Sequence, residues 1–452
     1  MTRRYFGTDG IRGEANTWPM TSEVAMALGM AAGSLMRRSE HKPHVIIGKD
    51  TRQSGYMIEF ALVSGFTAVG LDVKILGPIP TPAIGLLTRS LRADLGVMIS
   101  ASHNGYHDNG IKLFGADGFK LSDDQERAIE RLMDKPEKIQ RASPTKVGQV
   151  RSFEDSRGRY VEYAKGVFPR GRTLEGLRIV VDCANGAAYK TAPWALWELG
   201  ADVVEIGVNP NGRNINEGCG STNTRLLRET VLERRADIGI ALDGDADRLI
   251  IIDERGREID GDQIIASIAR DRIADGTLRG PGVVTTIMSN LGLERYMESL
   301  GSTLVRTGVG DRLVVQKMRE LDANVGGEQS GHIVLLDYAT TGDGLVSALS
   351  VLSSMVLSGR TASETLSVFD PMPQVKKNLR YSGASPLTDP AMQAAVARAE
   401  DAIGASGGRL VVRTSGTEPV VRLMAEGEDT ARLTALIEEL GETLQGRRAA
   451  AS

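Results

Sequence analysis

Three times along this chain a short β-branched run, a helical stretch, a glycine-led second run, more helix and a third run follow one another. Each third run delivers the backbone to an unusually polar loop. The opening runs are HVIIGKD from His44, RIVVDCANG from Arg178 and GVVTTIMSN from Gly282. Their continuous apolar character fits strands buried on both faces of a parallel sheet. The second runs are GLDVKILG from Gly70, GADVVEIG from Gly200 and GSTLVRTG from Gly301; the third are ADLGVMIS from Ala93, ADIGIAL from Ala236 and the weaker DANVGG from Asp322. Strands alternating with helices predict βαβ units and an α/β class. After Ser367 the pattern changes to a Pro-rich, basic joint, DPMPQVKKNLRYSGASPLTDP, then an Ala-rich helix from about Ala391, the strand RLVV, the loop RTSGTEP and the strand VVRLMAE. The predicted architecture is three similar mixed α/β domains plus a smaller α+β C-terminal domain around a central cleft. A charged segment, DKPEKIQRASPTKVGQ, separates the first unit from the second, and the expected domains are 1–160, 161–257, 258–369 and 370–452.

Charge and composition narrow the function. The 54 Lys+Arg against 58 Asp+Glu leave a formal charge of −4, spread without long like-charge blocks, so the basic footprint of a nucleic-acid binder is missing. No apolar run approaches the roughly 18 residues of a spanning helix, and the amino end is polar rather than basic then apolar. A cytoplasmic location with neither nucleic-acid nor membrane partners is expected. Cys183 and Cys219 are too few and too far apart for a disulfide framework or a clustered zinc site, and both thiols are expected free. Glycine, at 52 residues of 452, exceeds its usual share of about 7%, which implies many tight loops.

Four loops carry the chemistry. Ser102 lies just past an apolar strand in SASHNG, where glycine and asparagine let the chain turn and present a hydroxyl. It reads as a nucleophile or as a serine capping the next turn, and its flanks are not those of an esterase elbow. Asp243, Asp245 and Asp247 alternate in DGDADR, a spacing that gathers three carboxylates around one point, as a hard divalent cation requires. So many like charges repel unless something cationic sits among them; otherwise the run is a polar hairpin turn. A helix-loop-helix Ca²⁺ site is excluded, because Arg248 stands at the sixth position in place of glycine and strands flank the run. Arg248 suits a phosphate oxygen. GGEQSGH, from Gly326 to His332, offers a carboxylate, an amide, a hydroxyl and an imidazole, which suit sugar hydroxyls or an amine, or form a solvated loop without a ligand. RTSGTEP supplies Arg413, the hydroxyls of Ser415 and Thr417 and backbone N–H groups around Gly416: a phosphate clamp, or a hairpin beside an arginine. Arg12 in GTDGIRG, with Lys49 and Arg52 in GKDTRQSG, adds positive charge near strand ends. Together these features suit phosphoryl transfer on a phosphosugar-like substrate.

At these residues the sequence resembles the α-D-phosphohexomutase superfamily over essentially its whole length. The resemblance implies that Ser102, in SASHN, is the phosphorylated residue and a metal ligand, and that Asp243, Asp245 and Asp247 bind one Mg²⁺ per chain. It places Glu328, Ser330 and His332 on the sugar, and Arg413, Ser415, Gly416 and Thr417 on the distal phosphate. Arg12, His103 and Lys112 become candidates for proton transfer or orientation, and Arg248 steadies charge. FGTDGIRG and Gln329 are similar to the branch acting on glucosamine phosphates. The implied reaction interconverts glucosamine 6-phosphate and glucosamine 1-phosphate, on the route to UDP-N-acetylglucosamine, with glucosamine 1,6-bisphosphate as intermediate and activator. The expected partners are a small phosphosugar and a second copy in a homodimer, with the number of associating chains left open. One departure is Asn223, in INEGCGSTNTR, where many similar sequences have histidine. Two other readings stay open: a haloacid-dehalogenase-like phosphatase phosphorylated on Asp243 with Asp245 as acid/base, and a non-catalytic phosphosugar sensor.

Overall fold

The computed structural model describes residues 4–36, 42–382, 385–414 and 419–450, with side chains to residue 443. The chain forms two compact units, Met1–Thr286 with Thr307–Val368, and Ile287–Arg306 with Phe369–Ser452.

In the first unit the repeats become sheets of one plan. The first sheet holds β1 (Ile11–Glu14), β2 (His44–Lys49), β3 (Asp72–Pro78), β4 (Leu95–Ile99), β5 (Asp108–Gly115) and β6 (Val150–Ser152) in the order β1-β5-β4-β2-β3-β6. β2 pairs in parallel with β3 and β4, and the chain then reverses through residues 100–107 into antiparallel β5. The second sheet holds β7 (Arg178–Asp182), β8 (Asp202–Ile206), β9 (Ile238–Leu242), β10 (Leu249–Asp253) and β11 (Glu258–Ile259) in the order β11-β10-β9-β7-β8. Here β7 pairs in parallel with β8 and β9, and β9 reverses through residues 243–248 into antiparallel β10. In the third repeat the chain runs from β12 (Gly282–Thr286) through β13 (Thr303–Thr307), most of which is counted in the second unit, to β14 (Val325–Gly327), which is parallel to β12 and reverses through residues 328–332 into antiparallel β15 (Ile333–Leu335). β4 and β9 are buried at every position, as sheet centres covered on both faces are.

Two expectations need correction. The charged segment Asp134–Gln149 does more than separate units, since it leads directly into β6, a strand the sequence reading passed over, which pairs in parallel with β3 at the sheet edge. The basic joint contains a strand, β16 (Gln374–Arg380), running antiparallel to β18. β16 is an edge strand with alternating exposed charges, and such a strand lacks the apolar run that marks a central one.

The second unit sets β16, β17 (Arg409–Thr414) and β18 (Val420–Glu426) in the antiparallel order β16-β18-β17, with helices Pro390–Gly404 and Thr430–Ala450. Its core includes Leu379, Met392, Ile403, Val421, Leu423, Leu433 and Ile437. Leu291–Ser299 is a further helix of this unit, capped by the Asn290 side chain accepting from Gly292 N–H.

Among the described residues no helix is long and apolar enough to cross a membrane. Cys183 and Cys219 are free and buried.

In the first repeat, helices α1 (Ser22–Met36) and α2 (Gly55–Ala68) meet backbone to backbone at glycines. A Cβ at Gly65 would lie 2.3 Å from Met26 O and 3.1 Å from Gly29 Cα. We therefore expect Gly65→Ala to destabilise the protein by about 1–3 kcal/mol through overpacking, against a gain of at most about 1 kcal/mol in helix propensity. A urea unfolding midpoint equal to or above the parent's would show that the helices do not need this close approach.

Candidate active site

The serine loop begins where β4 ends. Ser102 is 1% exposed and takes a left-handed backbone, φ +52°, which costs a non-glycine residue roughly 1–2 kcal/mol. A buried chain of bonds holds that turn: Ser102 N–H donates to Ser100 Oγ at 2.9 Å, and Ser100 Oγ donates to Asp50 Oδ2 at 2.7 Å. The turn aims the Ser102 hydroxyl at the acidic loop of the second repeat, where it donates to Asp243 Oδ2 at 2.5 Å. His103 Nδ1 lies 3.4 Å from the same hydroxyl.

Asp243, Asp245 and Asp247 are all buried, with one ligand oxygen from each within 4.8 Å of the others. Burial and then the neighbouring Asp247 and Asp245 push the Asp243 carboxyl well above its ordinary range, only partly offset by Arg248. Asp245 goes the other way: burial opposes ionisation, but Lys112 and the Thr81 hydroxyl outweigh it and lower its pKa. Lys112, on β5, donates from Nζ to Asp245 Oδ2 at 2.8 Å and to Asp247 Oδ2 at 3.1 Å. Burial disfavours its charge, yet Asp245, Asp247 and Asp9 hold it protonated, well above the usual lysine range. Thr81 Oγ1 also donates to Asp245 Oδ2, at 2.6 Å. The second carboxylate oxygens, Asp245 Oδ1 and Asp247 Oδ1, are buried without a hydrogen-bond partner among the described residues. Hard, anionic oxygens that are buried and unsatisfied suit a divalent cation such as Mg²⁺, so the residues present fit the metal.

Around the triad stand further cations. Arg12 pairs with Asp9 and donates from Nη1 to Ala101 O at 3.4 Å; despite burial its pKa is raised by Asp9 and Asp245. Arg248 N–H donates to Asp243 Oδ1 at 3.2 Å, and its guanidinium, partly buried, is kept charged by Asp243, Asp247 and Glu328. Between these groups His103 is pushed down to about 4, first by burial and then by Arg248 and Arg12, so its imidazole is neutral near pH 7.

The third repeat closes onto the same site. His332 Nε2 lies 3.6 Å from Asp311 Oδ2 and 3.9 Å from Asp247 Oδ2. Glu328 accepts from Gly310 N–H at 3.2 Å and from Ser330 Oγ at 3.3 Å, which fixes the loop's two sugar-directed candidates against each other. Gln329 Nε2 donates to Asp260 Oδ2 at 3.1 Å, tying the loop to the start of the helix Gly261–Ala274. The first unit thus assembles Arg12, Ser102, His103, Lys112, the three aspartates, Arg248 and His332, with Glu328 and Ser330 on the adjoining loop. In the second unit Arg413 lies on β17, in register with Arg422 of β18. Ser415, Gly416 and Thr417 lie outside the described residues.

Sequence reasoning passed over Asp9, Thr81, Lys120 and Asp311. Lys120 bridges Asp9 and Asp311, and Asp9 in turn meets Lys112 at 3.6 Å, so the site is wired through a buried ionic relay. Asp9 sat in a loop chosen for its arginine; Thr81 and Lys120 carried no local signal. Of the GKDTRQSG cations, Lys49 turns to buried Glu59 and Arg52 points inward to Asp50.

Comparison with known proteins gives matches along the whole chain. The phosphoglucomutase/phosphomannomutase models match in sequence order: alpha/beta/alpha domain I over residues 3–140, domain II over 159–256, domain III over 260–372 and the C-terminal domain over 372–442. A phosphoglucosamine mutase from Agrobacterium fabrum is 59% identical over 451 residues, 100% of each chain. A phosphoglucomutase/phosphomannomutase family protein from Burkholderia thailandensis superposes with a TM-score of 0.82 at 24% identity, covering 97% of both chains. The Aspergillus fumigatus N-acetylphosphoglucosamine mutase, solved with GlcNAc-6P and magnesium, gives 0.68 at 19% identity, covering 98% of this chain and 95% of that one.

Three buried carboxylates this close repel one another and gain from an added cation. We expect Mg²⁺ at about 100 times its Kd to stabilise the fold by about 2.7 kcal/mol, read as a rise in Tm over an EDTA-treated sample. Asp243→Asn should melt higher than the parent in EDTA and gain less from Mg²⁺. A variant that melts lower in EDTA while keeping the full Mg²⁺ response would refute the assignment.

Proposed function

Since the chain belongs to the phosphoglucomutase/phosphomannomutase family and matches a phosphoglucosamine mutase along its whole length, we propose that it interconverts glucosamine 6-phosphate and glucosamine 1-phosphate through a phosphoserine at Ser102. The reaction passes through glucosamine 1,6-bisphosphate, and its product feeds the route to UDP-N-acetylglucosamine in the cytoplasm. The observation that carries this reading is the 2.5 Å contact between the Ser102 hydroxyl and Asp243, which joins the serine loop of one repeat to the acidic loop of the next.

Phospho-Ser102 gives its phosphoryl group to the free hydroxyl of the bound sugar phosphate. The bond from Ser102 Oγ to phosphorus breaks, a bond from the sugar oxygen to phosphorus forms, and the proton the sugar hydroxyl loses is matched by one returned to Ser102 Oγ, which leaves as a hydroxyl. Asp243, Asp245, Asp247 and Ser102 would hold Mg²⁺, which when bound supplies a Lewis acid beside the transferring group. Lys112 and Arg12, both held protonated, stabilise the charge that spreads over the equatorial oxygens, and Arg248 adds a planar donor from the opposite loop. Two of the three groups considered for proton transfer are thereby committed as cations. His103, neutral and 3.4 Å from Ser102 Oγ, is the one able to accept a proton. Glu328, Ser330 and His332 orient the sugar, and Arg413, Ser415, Gly416 and Thr417 hold the phosphate that is not reacting. Reorientation of the bisphosphate then presents its other phosphate to Ser102, which takes it back.

Replacing the carrier tests this directly. With 1,6-bisphosphate supplied, Ser102→Ala should lose at least about 10³-fold in turnover with an unchanged Tm. The peptide spanning residue 102 in the parent should carry a phosphate that resists hydroxylamine. Near-parental turnover, or a hydroxylamine-labile phosphate on the Asp243 peptide, would overturn the assignment.

A further inference from the structure

The backbone of the serine loop is held by two side chains that no catalytic step uses. Arg52 is fully buried and turns both Nη atoms on this one segment. Its Nε meets Asp50 Oδ2 at 2.8 Å, Nη1 meets Gly105 O and, at 3.0 Å, Asp108 O, and Nη2 meets Ser102 O at 2.9 Å and Asn104 O at 2.8 Å. Asn216, from the second repeat, donates from Nδ2 to the same pair of carbonyls, Ser102 O at 2.9 Å and Asn104 O at 2.9 Å. Only the amide nitrogen can satisfy two carbonyl oxygens, so the orientation of this side chain is fixed by its neighbours. Gly244, between two of the acidic residues, completes the enclosure. A Cβ there would fall 2.6 Å from Ser102 O and 2.9 Å from Asn216 Nδ2. Three loops therefore converge on one carbonyl, that of the residue whose hydroxyl meets Asp243.

We propose that Arg52 and Asn216 are positioning residues that clamp the Ser102 and Asn104 carbonyls and so hold the Ser102 hydroxyl in line with the acidic triad during transfer. The proposal rests on Ser102 being the phosphoryl carrier. Arg52 fixes the loop from within its own repeat; Asn216 fixes it to the repeat that carries the triad. Ser102 is strained at φ +52°, and a strained turn persists only where its surroundings over-determine it. Releasing one side of the clamp lets the hydroxyl drift, and a displacement of about 1 Å in a reacting group can cost on the order of 10²-fold in rate.

Asn216 permits a clean test because its own backbone is left-handed, φ +59°, a conformation in which glycine is at ease. Asn216→Gly removes the two donated bonds and leaves the turn undisturbed. We expect kcat to fall by about 10²-fold with KM within about twofold and Tm unchanged. Amide exchange in residues 101–106 should quicken. Asn216→Asp, which sets a carboxylate against two carbonyl oxygens, should be slower still, giving the order Asn, Gly, Asp. Parental kcat in Asn216→Gly, or unchanged exchange in the loop, would overturn the clamp, as would a fall in Tm that accounts for the lost activity. Phosphopeptide mapping of the parent separates the two readings. Phosphate found elsewhere than Ser102 defeats the proposed function, while the exchange comparison still decides whether Asn216 orders the loop.

Discussion

Three carboxyl groups buried within 4.8 Å of one another set the terms for everything around them. At that separation two ionised carboxylates repel by about 3 kcal/mol at an effective dielectric of about 20; burial and this repulsion push the Asp243 carboxyl upward and call for compensation. Lys112 supplies part of it from β5, bonded to two of the three aspartates and itself fully desolvated. Arg12 and Arg248 flank the site, and the Asp9–Lys120–Asp311 relay keeps the surrounding charges matched. Among the described residues two carboxylate oxygens at the centre are left unmatched, a deficit that suits the site to a small dication.

The topology explains how residues far apart in sequence reach one point. In each repeat the third strand is parallel to its neighbour and the fourth is antiparallel, so a polar loop is forced at the carboxyl end of the third. That is where open α/β sheets bind ligands. The three reversals deliver Ser102, the aspartates and the Glu328–His332 segment. Close approach of the loops is bought with glycine: a Cβ at Gly342 would fall 2.5 Å from Asp247 O, and one at Gly344 2.5 Å from Arg248 O.

Much of this was legible in the residues. Runs such as ADLGVMIS and ADIGIAL announced buried strands, and the polar loops following them stood out by contrast. The antiparallel fourth strands did not stand out, because an apolar run such as LIIID fixes burial but not direction. β16 escaped because its Lys-rich pattern belongs to an edge. At the site, the aspartates stood out by their alternate spacing, while Ser102 read as a nucleophile or a capping serine until the resemblance singled it out. Lys120 and Thr81 were not, since their roles come from tertiary pairing with Asp9, Asp311 and Asp245, and Arg52 looked like field-setting charge when it is an internal clamp. Gln329 shows the same limit: its residue type points to the substrate branch, whereas its amide bonds to Asp260.

The account stands or falls on a phosphoryl group that resides on one hydroxyl and leaves for the sugar. Enzyme carrying ³²P on the serine loop, mixed with excess unlabelled glucosamine 6-phosphate and quenched within a single turnover, reports this directly. The account predicts that label passes from the protein to the sugar phosphates at the rate of catalysis. Label that stays on the protein while product accumulates would contradict it.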